Sequence, residues 1–334
     1  MWAKYSKLDP PSVLLNRYDD TKGNRFYYYT VPQDGKFVTK TAIGITSLLS
    51  LTLPTSPFLT QWKLDNTDHE EILKNASDYG TLYHICASEW IVNRSIPQET
   101  IDAAREISIK AGMSYNAIDK DILALVKWVE DYNVQYLLSE AMLLSEPVNG
   151  ENYALTLDLV HTMDVTETKT EIVQDGVYVR GDKKGQPKMV EVKTEEKVTK
   201  VAITDFKSNF QEKEQKTFYE SHLFQVIAGA KAVTHNYPNV KIDCLCNFSP
   251  VNWRSTPNYN FKIWKPTEAD YKLFDLYVEI GRIRGFFTPS GHIFMPPIFT
   301  KETKSTDYSL LSYTEYVEQV LLAEPIIDDN PSEP

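Results

Sequence analysis

Cysteine is scarce in this sequence: Cys86, Cys244 and Cys246 are the only three in 334 residues. Three thiols cannot build a disulfide framework, nor can they fill a four-thiolate zinc or iron–sulfur site unaided. Long apolar runs are missing too. No stretch approaches the roughly 18 residues that span a bilayer, and the opening MWAKYSKLDPP lacks the apolar segment of a signal peptide. The expectation is a protein of the reducing cytoplasm with no membrane partner. Several nucleotide and hydrolase signatures are absent as well. There is no GxxxxGK[ST]; the nearest spacing, Gly176 to Gly181, is followed by Asp182. No GxSxG elbow, HExxH helix or Rossmann fingerprint occurs.

Positive charge is also in deficit, with 35 Lys and Arg against 46 Asp and Glu, a net of −11. That total argues against nucleic-acid binding, but its distribution weakens the argument. Residues 302–334 hold eight acids and one Lys, leaving only −4 on residues 1–301. A near-neutral body leaves room for a local basic groove. The last stretch, 324–334, is acidic, carries three prolines and reads as a solvated tail.

Hydrophobic residues make up 42% of the chain, enough for a folded core. FYYYTV (26–31) and KFVTKT (36–41) read as a β-hairpin turning around Asp34-Gly35. IGITSLLSLTLPTSPFLTQW (43–62) reads as a short apolar helix, a Pro-broken turn and a second helix starting near Ser56-Pro57. Helical periodicity runs from Asp68 to about Val92, from Pro97 to about Ala111, and over 117–138, where Ile118, Ile122, Leu125, Val129 and Tyr136 share a face. After Glu146 the period changes to two. Strands are expected at 153–165, 175–181, 187–194 and 198–208, with turns at Asp175-Gly176 and Lys184-Gly185. A helix over about 214–234, strands at 240–249 and 259–265, and closing helices at 267–284 and 309–323 complete the pattern. The fold class is α/β, a mixed central sheet flanked by helices. Four portions are expected: a hairpin and helical front end (1–145), a core (146–265) with an inserted hairpin at about 164–200, a helical closure (266–323) and the tail.

The chemistry points to a few strand-borne charges. Asp158 interrupts the apolar strand LTLDLV, where a carboxylate has no packing role. Asp205 and Lys207 in ITDFKSN share one face by the period of two. Buried acids are costly unless paired or metal-bound. Two carboxylates suit Mg²⁺ or Mn²⁺, and a lysine adds a compact cation able to hold water or a phosphate oxygen. Metal, water and lysine are the ingredients of phosphodiester hydrolysis. A D-x-K triplet alone is common, and Glu191-Val192-Lys193 in MVEVKT is a competing one.

Taken together, these residues resemble the PD-(D/E)XK nucleases, in their RecB-like, phage exonuclease branch. Tyr79-Gly80-Thr81-Leu82-Tyr83-His84 is similar to that branch's G-x-x-x-H helix, Glu146 occupies the place of its upstream acid, and Asp158 that of its metal-binding aspartate. Asp205-Phe206-Lys207 resembles the (D/E)-x-K signature. Gln225, 18 residues beyond Lys207, stands where the family has the glutamine of Q-x-x-x-Y. The chain departs from the pattern in two places: Leu155-Thr156-Leu157 precedes Asp158 where a glycine is usual, and Gly229 replaces the tyrosine. The resemblance implies a restriction-endonuclease-like core and a metal-dependent DNA exonuclease of phage-type recombination or replication. One or two Mg²⁺ or Mn²⁺ ions would sit on His84, Glu146, Asp158, Asp205 and the Phe206 carbonyl. Lys207 would orient water, Gln225 would position phosphate or Lys207, and products would carry 5′-phosphates. A single-strand annealing protein or other replication protein is an implied partner. The alternative is a catalytically silent DNA-binding or virion-associated protein on the same fold.

Overall fold

A computed structural model describes residues 3–34, 36–183, 185–209, 217–290 and 305–306. The front end is β1 (Ala3–Ser6), β2 (Asn16–Asp19), β3 (Arg25–Gln33) and β4 (Lys36–Gly44), then α1 (Ile45–Thr52), α2 (Pro57–Asp65) and α3 (His69–Asn93). There follow β5 (Ile96–Pro97), α4 (Gln98–Lys110), α5 (Ala117–Asp131) and β6 (Gln135–Leu144). The remainder is β7 (Tyr153–Val177), β8 (Pro187–Phe206), α6 (Glu220–Asn236), β9 (Cys244–Pro250), β10 (Tyr259–Trp264), α7 (Glu268–Ile283) and β11 (Ser305–Thr306). The expected helix at 309–323 and the acidic tail at 324–334 lie outside the described residues.

Nine strands form one mixed sheet, ordered β10-β9-β8-β7-β4-β3-β2, with β6 paired to β7 and β1 to β6. The contacts β8–β9 and β4–β7 are parallel; the rest of the sheet is antiparallel. One face is covered by α1, α6 and α7, whose Leu48, Phe224, Ile227, Phe274 and Val278 join Leu155, Leu157 and Ile203 in a core. The other face is covered by α3, α4 and α5, where Tyr83, Trp90, Ile122 and Trp128 pack on Leu159, Met163, Phe206 and Phe248. This is a mixed α/β sandwich with helices on both faces, as expected. The strands of the 1–145 portion belong to the same sheet as the strands that follow it.

Two expectations are corrected. The helix read over 117–138 stops at Asp131, because Asn133 adopts φ 50° and the Val134 N–H turns back to the Val129 carbonyl. Residues 135–144 are instead a strand. Its alternation is broken, since Leu138, Ala141 and Leu143 all enter the same core. The break falls at Glu140, a non-glycine residue at φ 50°. The second correction concerns the hairpin. No turn forms at Asp175-Gly176; Gly176, at φ 75°, sits in an irregularity of β7, and the chain reverses over 178–186. The strands expected separately merge into two long ones, whose outer halves leave the body as an exposed ribbon. Among the described residues, no helix is long and apolar enough to cross a membrane.

His161 on β7 is fully buried, with Nε2 2.8 Å from Thr204 Oγ1, Nδ1 3.2 Å from the Thr162 carbonyl, and the Trp128 ring edge-on at 5.4 Å. Burial pushes its imidazole down to about 4. The unfolded chain accepts this proton near pH 6.5 and the folded chain only near 4, so stability present above pH 6.5 is lost as pH falls through that window. Urea unfolding should show the advantage of wild type over His161→Gln shrinking by on the order of 3 kcal/mol between pH 7 and pH 4, with no further change below pH 4.

Candidate metal and phosphodiester site

The site forms where β7 changes neighbours. From Leu159 outward β7 pairs with β8, whereas Tyr153 and Ala154 pair with β4. Between these stretches the two flanking strands diverge, and Asp158 lies at the fork. Side-chain alternation slips here: Leu155 and Leu157 enter the α6 core, while Leu159 and Met163 enter the α5 core. The same slip occurs in β6 at Glu140, whose neighbours Ser139 and Ala141 pair with Leu159 and Leu157. The two acids therefore face each other at matched irregularities. Strain of this kind, on the order of 1–3 kcal/mol, persists where a functional geometry requires it.

The Asp158 carboxylate is held at both oxygens. Oδ1 accepts from His84 Nδ1 at 3.1 Å, and Oδ2 accepts from the Phe206 N–H at 2.6 Å. Ligand atoms of His84, Glu140 and Asp158 lie within 4.8 Å of one another. Glu140 Oε1 is buried and has no hydrogen-bond partner among the described residues. An orphaned carboxylate oxygen beside an imidazole and a second carboxylate suits a hard divalent cation, so these side chains fit Mg²⁺ or Mn²⁺.

Asp205, Lys207 and Gln225 meet at the same cleft. Lys207 Nζ donates to Asp205 Oδ1 at 3.0 Å, reaches Oδ2 at 2.8 Å and donates to Gln225 Oε1 at 2.6 Å. The cleft, about 430 Å³ and open to solvent, is lined by Asp158, Asp205, Gln225, Leu157, Arg25 and the Gly44–Thr46 start of α1. Gly44 has no room for a side chain, as a Cβ would lie 2.9 Å from the Arg25 carbonyl. Arg25 Nε is buried and lacks a hydrogen-bond partner among the described residues.

Charge here is finely balanced. Burial alone would lower the His84 imidazole, but the charge and hydrogen bond of Asp158, with Glu140 behind it, push it up to about 9. Burial and then the Asp158 charge push Glu140 up to about 7. Burial works against ionised Asp158, yet His84, Lys207 and the Phe206 N–H together hold it below the usual carboxylate range. Asp205 is raised, chiefly by burial, with Lys207 opposing and Asp158 reinforcing the shift.

The structure thus brings together His84, Asp158, Asp205, Phe206, Lys207 and Gln225, as the sequence pattern expects. Phe206 meets Asp158 through its N–H. Glu146 is the exception and is corrected: it is exposed, just past the end of β6. Glu140, six residues earlier, is the acid that lies beside His84 and Asp158; no element is expected from the sequence over residues 139–145, and nothing there singles Glu140 out. Glu191 and Lys193 are exposed on the outer ribbon, Glu191 opposite Ile172, well away from Asp158. Arg25 and Asn247 were also missed. Asn247 reads as one polar residue in an apolar strand, a signal the sequence does carry. Gly229 has a packing cause: a Cβ there would lie 2.8 Å from Leu157 Cδ2 and 3.6 Å from Ile203 Cγ2, so α6 rests directly on the strands.

No protein-family model matches this chain, and neither does any curated protein. Two outcomes follow from the geometry. Gly229→Tyr should overpack the α6–sheet contact and destabilise the fold by on the order of 3 kcal/mol, read by urea unfolding. Metal must displace the proton on His84 and bind ionised Glu140. The Mn²⁺-induced rise in melting temperature should therefore grow between pH 6.5 and pH 9, and Glu140→Gln and Asp158→Asn should abolish it. A saturating ion at 100 times its dissociation constant stabilises by about 2.7 kcal/mol.

Proposed function

We propose that the protein is a divalent-metal-dependent deoxyribonuclease of the PD-(D/E)XK, RecB-like type, acting as an exonuclease at DNA ends. One observation carries this reading. The acid–imidazole group (His84, Glu140, Asp158) and the acid–lysine–glutamine group (Asp205, Lys207, Gln225) open onto one cleft at the fork of two strands, the first through Asp158 and the second through Asp205 and Gln225. Either group alone would be an ordinary buried network.

A bound Mg²⁺ or Mn²⁺ would supply charge neutralisation and a lowered water pKa. His84, Glu140 and Asp158 would hold it, with Asp205 beside them. Lys207 keeps its ammonium at the cleft because Asp205 and Gln225 fix its direction. Three rotatable donors on a compact head let it engage an attacking water while two of its protons stay committed. Gln225 accepts from Lys207 through Oε1, which leaves its NH₂ free to donate to a phosphate oxygen. The buried, unpartnered Arg25 Nε and the α1 N-terminus, which has no acidic residue in its first turn, favour an anionic occupant of the same cleft. A cationic or uncharged substrate would gain nothing from both features together.

The discriminating assay uses end-labelled linear DNA beside closed circular DNA, with and without Mg²⁺ or Mn²⁺. Linear DNA should be degraded only with metal and the circle spared; intact linear DNA across metal titrations favours the silent DNA-binding alternative. Asp205→Ala should abolish cleavage with DNA binding retained, and Glu191→Ala should leave the rate unchanged. Lys207→Met should lower the single-turnover rate by about 10²–10³, the size of one lost transition-state donor. Lys207→Arg should not restore it, because a planar guanidinium does not replace a compact ammonium.

A further inference from the structure

We infer that Asn247 and Trp264 are positioning residues that fix Asp205, and through it Lys207, at the cleft; the inference rests on the nuclease reading and adds residues to that same site. Asn247 lies on β9 as the cross-strand partner of Asp205 and is fully buried. Its flanks, Leu245, Cys246 and Phe248, are apolar and buried. A carboxamide in such a strand carries a desolvation cost that an apolar side chain would avoid.

The contacts explain its presence. Asn247 Nδ2 donates to Asp205 Oδ2 at 2.5 Å and to the Asp205 carbonyl at 3.2 Å. Asn247 Oδ1 accepts from Trp264 Nε1 on β10 at 2.7 Å. An indole N–H is only ever a donor, so it dictates which end of the amide faces it. With Oδ1 committed to Trp264, the NH₂ must face the carboxylate. Without the indole the amide is free to turn and set its carbonyl against Asp205, a repulsive arrangement. A continuous chain results, Trp264 to Asn247 to Asp205 to Lys207 to Gln225, crossing four elements from β10 to α6. Lys262 Nζ, 3.3 Å from the Trp264 ring centroid, braces its outer end. Asp205 lines the cleft, and Asn247 and then Trp264 stand behind it in the chain of hydrogen bonds; they act on the direction of Asp205 and Lys207.

The test is a double-mutant cycle of Asn247→Leu, which keeps the branched shape without the amide, and Trp264→Phe, which keeps an aromatic ring without the N–H, in the full chain. Single-turnover cleavage at saturating Mn²⁺, DNA affinity, Mn²⁺ affinity by calorimetry and melting temperature would be read for each. Asn247→Leu should slow cleavage about 10- to 100-fold, the usual effect of removing a residue that orients a metal-site group. Trp264→Phe should slow it about 3- to 10-fold, and the double variant should be no slower than Asn247→Leu alone, because both act through one amide. DNA affinity should stay within about twofold of wild type throughout. A merely structural pair would lower the melting temperature with the rate intact. Wild-type rates in both single variants, or losses that multiply in the double variant, overturn the proposal. If wild type binds Mn²⁺ without cleaving DNA, the nuclease reading fails separately, and the cycle is then read in Mn²⁺ affinity. There, a loss in Asn247→Leu that Trp264→Phe does not deepen supports the relay, and unchanged affinity overturns it.

Discussion

The hydrogen bond from the Phe206 N–H to Asp158 Oδ2 is the contact around which the site is built. It joins β7 to β8 at the point where their regular pairing ends, with the last paired register at Leu159 and Thr204. A backbone donor that would otherwise continue the ladder is turned onto a side chain instead. The carboxylate is thereby held in the opening between the strands, and its other oxygen is left for His84. Had the ladder continued, the side chain at 158 would have had to face one helical layer or the other, where a carboxylate has no partner. The fork is possible because β4 takes over as the neighbour of β7 at Tyr153, so little of the sheet is left unpaired.

Electrostatic balance follows from that placement. Three acids and two bases sit in a half-buried space, and no single pair neutralises the set. The raised imidazole of His84 and the raised carboxyl of Glu140 show how the protein meets the imbalance when protons alone are available. Glu140 pays for its position twice, in left-handed backbone and in an unpartnered oxygen. A divalent cation would relieve the second cost and replace the His84 proton, which is why the arrangement suits a metal better than an ion-pair network. On the other side of Asp158, Lys207 is tied to two acceptors, Asp205 and Gln225.

The helices have distinct duties toward the fork. α3 delivers His84 from one face of the sheet and α6 delivers Gln225 from the other. The close seating of α6 on Leu157 and Ile203, made possible by Gly229, keeps Gln225 within reach of Lys207. Beyond the fork, the outer halves of β7 and β8 run out as an exposed ribbon, with ion pairs across it at Lys169–Glu196, Lys188–Asp175 and Lys200–Glu167. At the base of these strands both helical layers pack against the sheet.

Local chemistry was enough to read much of this molecule. The hairpin of β3 and β4, the short α1, the helices α3, α4 and α6, and the strand-borne charges at Asp158, Asp205 and Lys207 follow from hydrophobic period, turn residues and the oddity of an acid in an apolar run. Those signals lie within one element, so they survive in a string of letters. Glu140 did not, because the first residues of β6, 135–138, continue the helical period of α5 and the left-handed backbone at Glu140 breaks the alternation of the rest. The length of β7 and β8 was hidden by Gly176, which marks an irregularity here and a turn in most sequences. Arg25, Asn247 and Trp264 matter only through partners far along the chain, at separations that no periodicity encodes. The sequence by itself determined which residues want to be buried and which charges would be costly there. Only the tertiary structure decided where the strands part, and that fork selects which of the costly charges share a site.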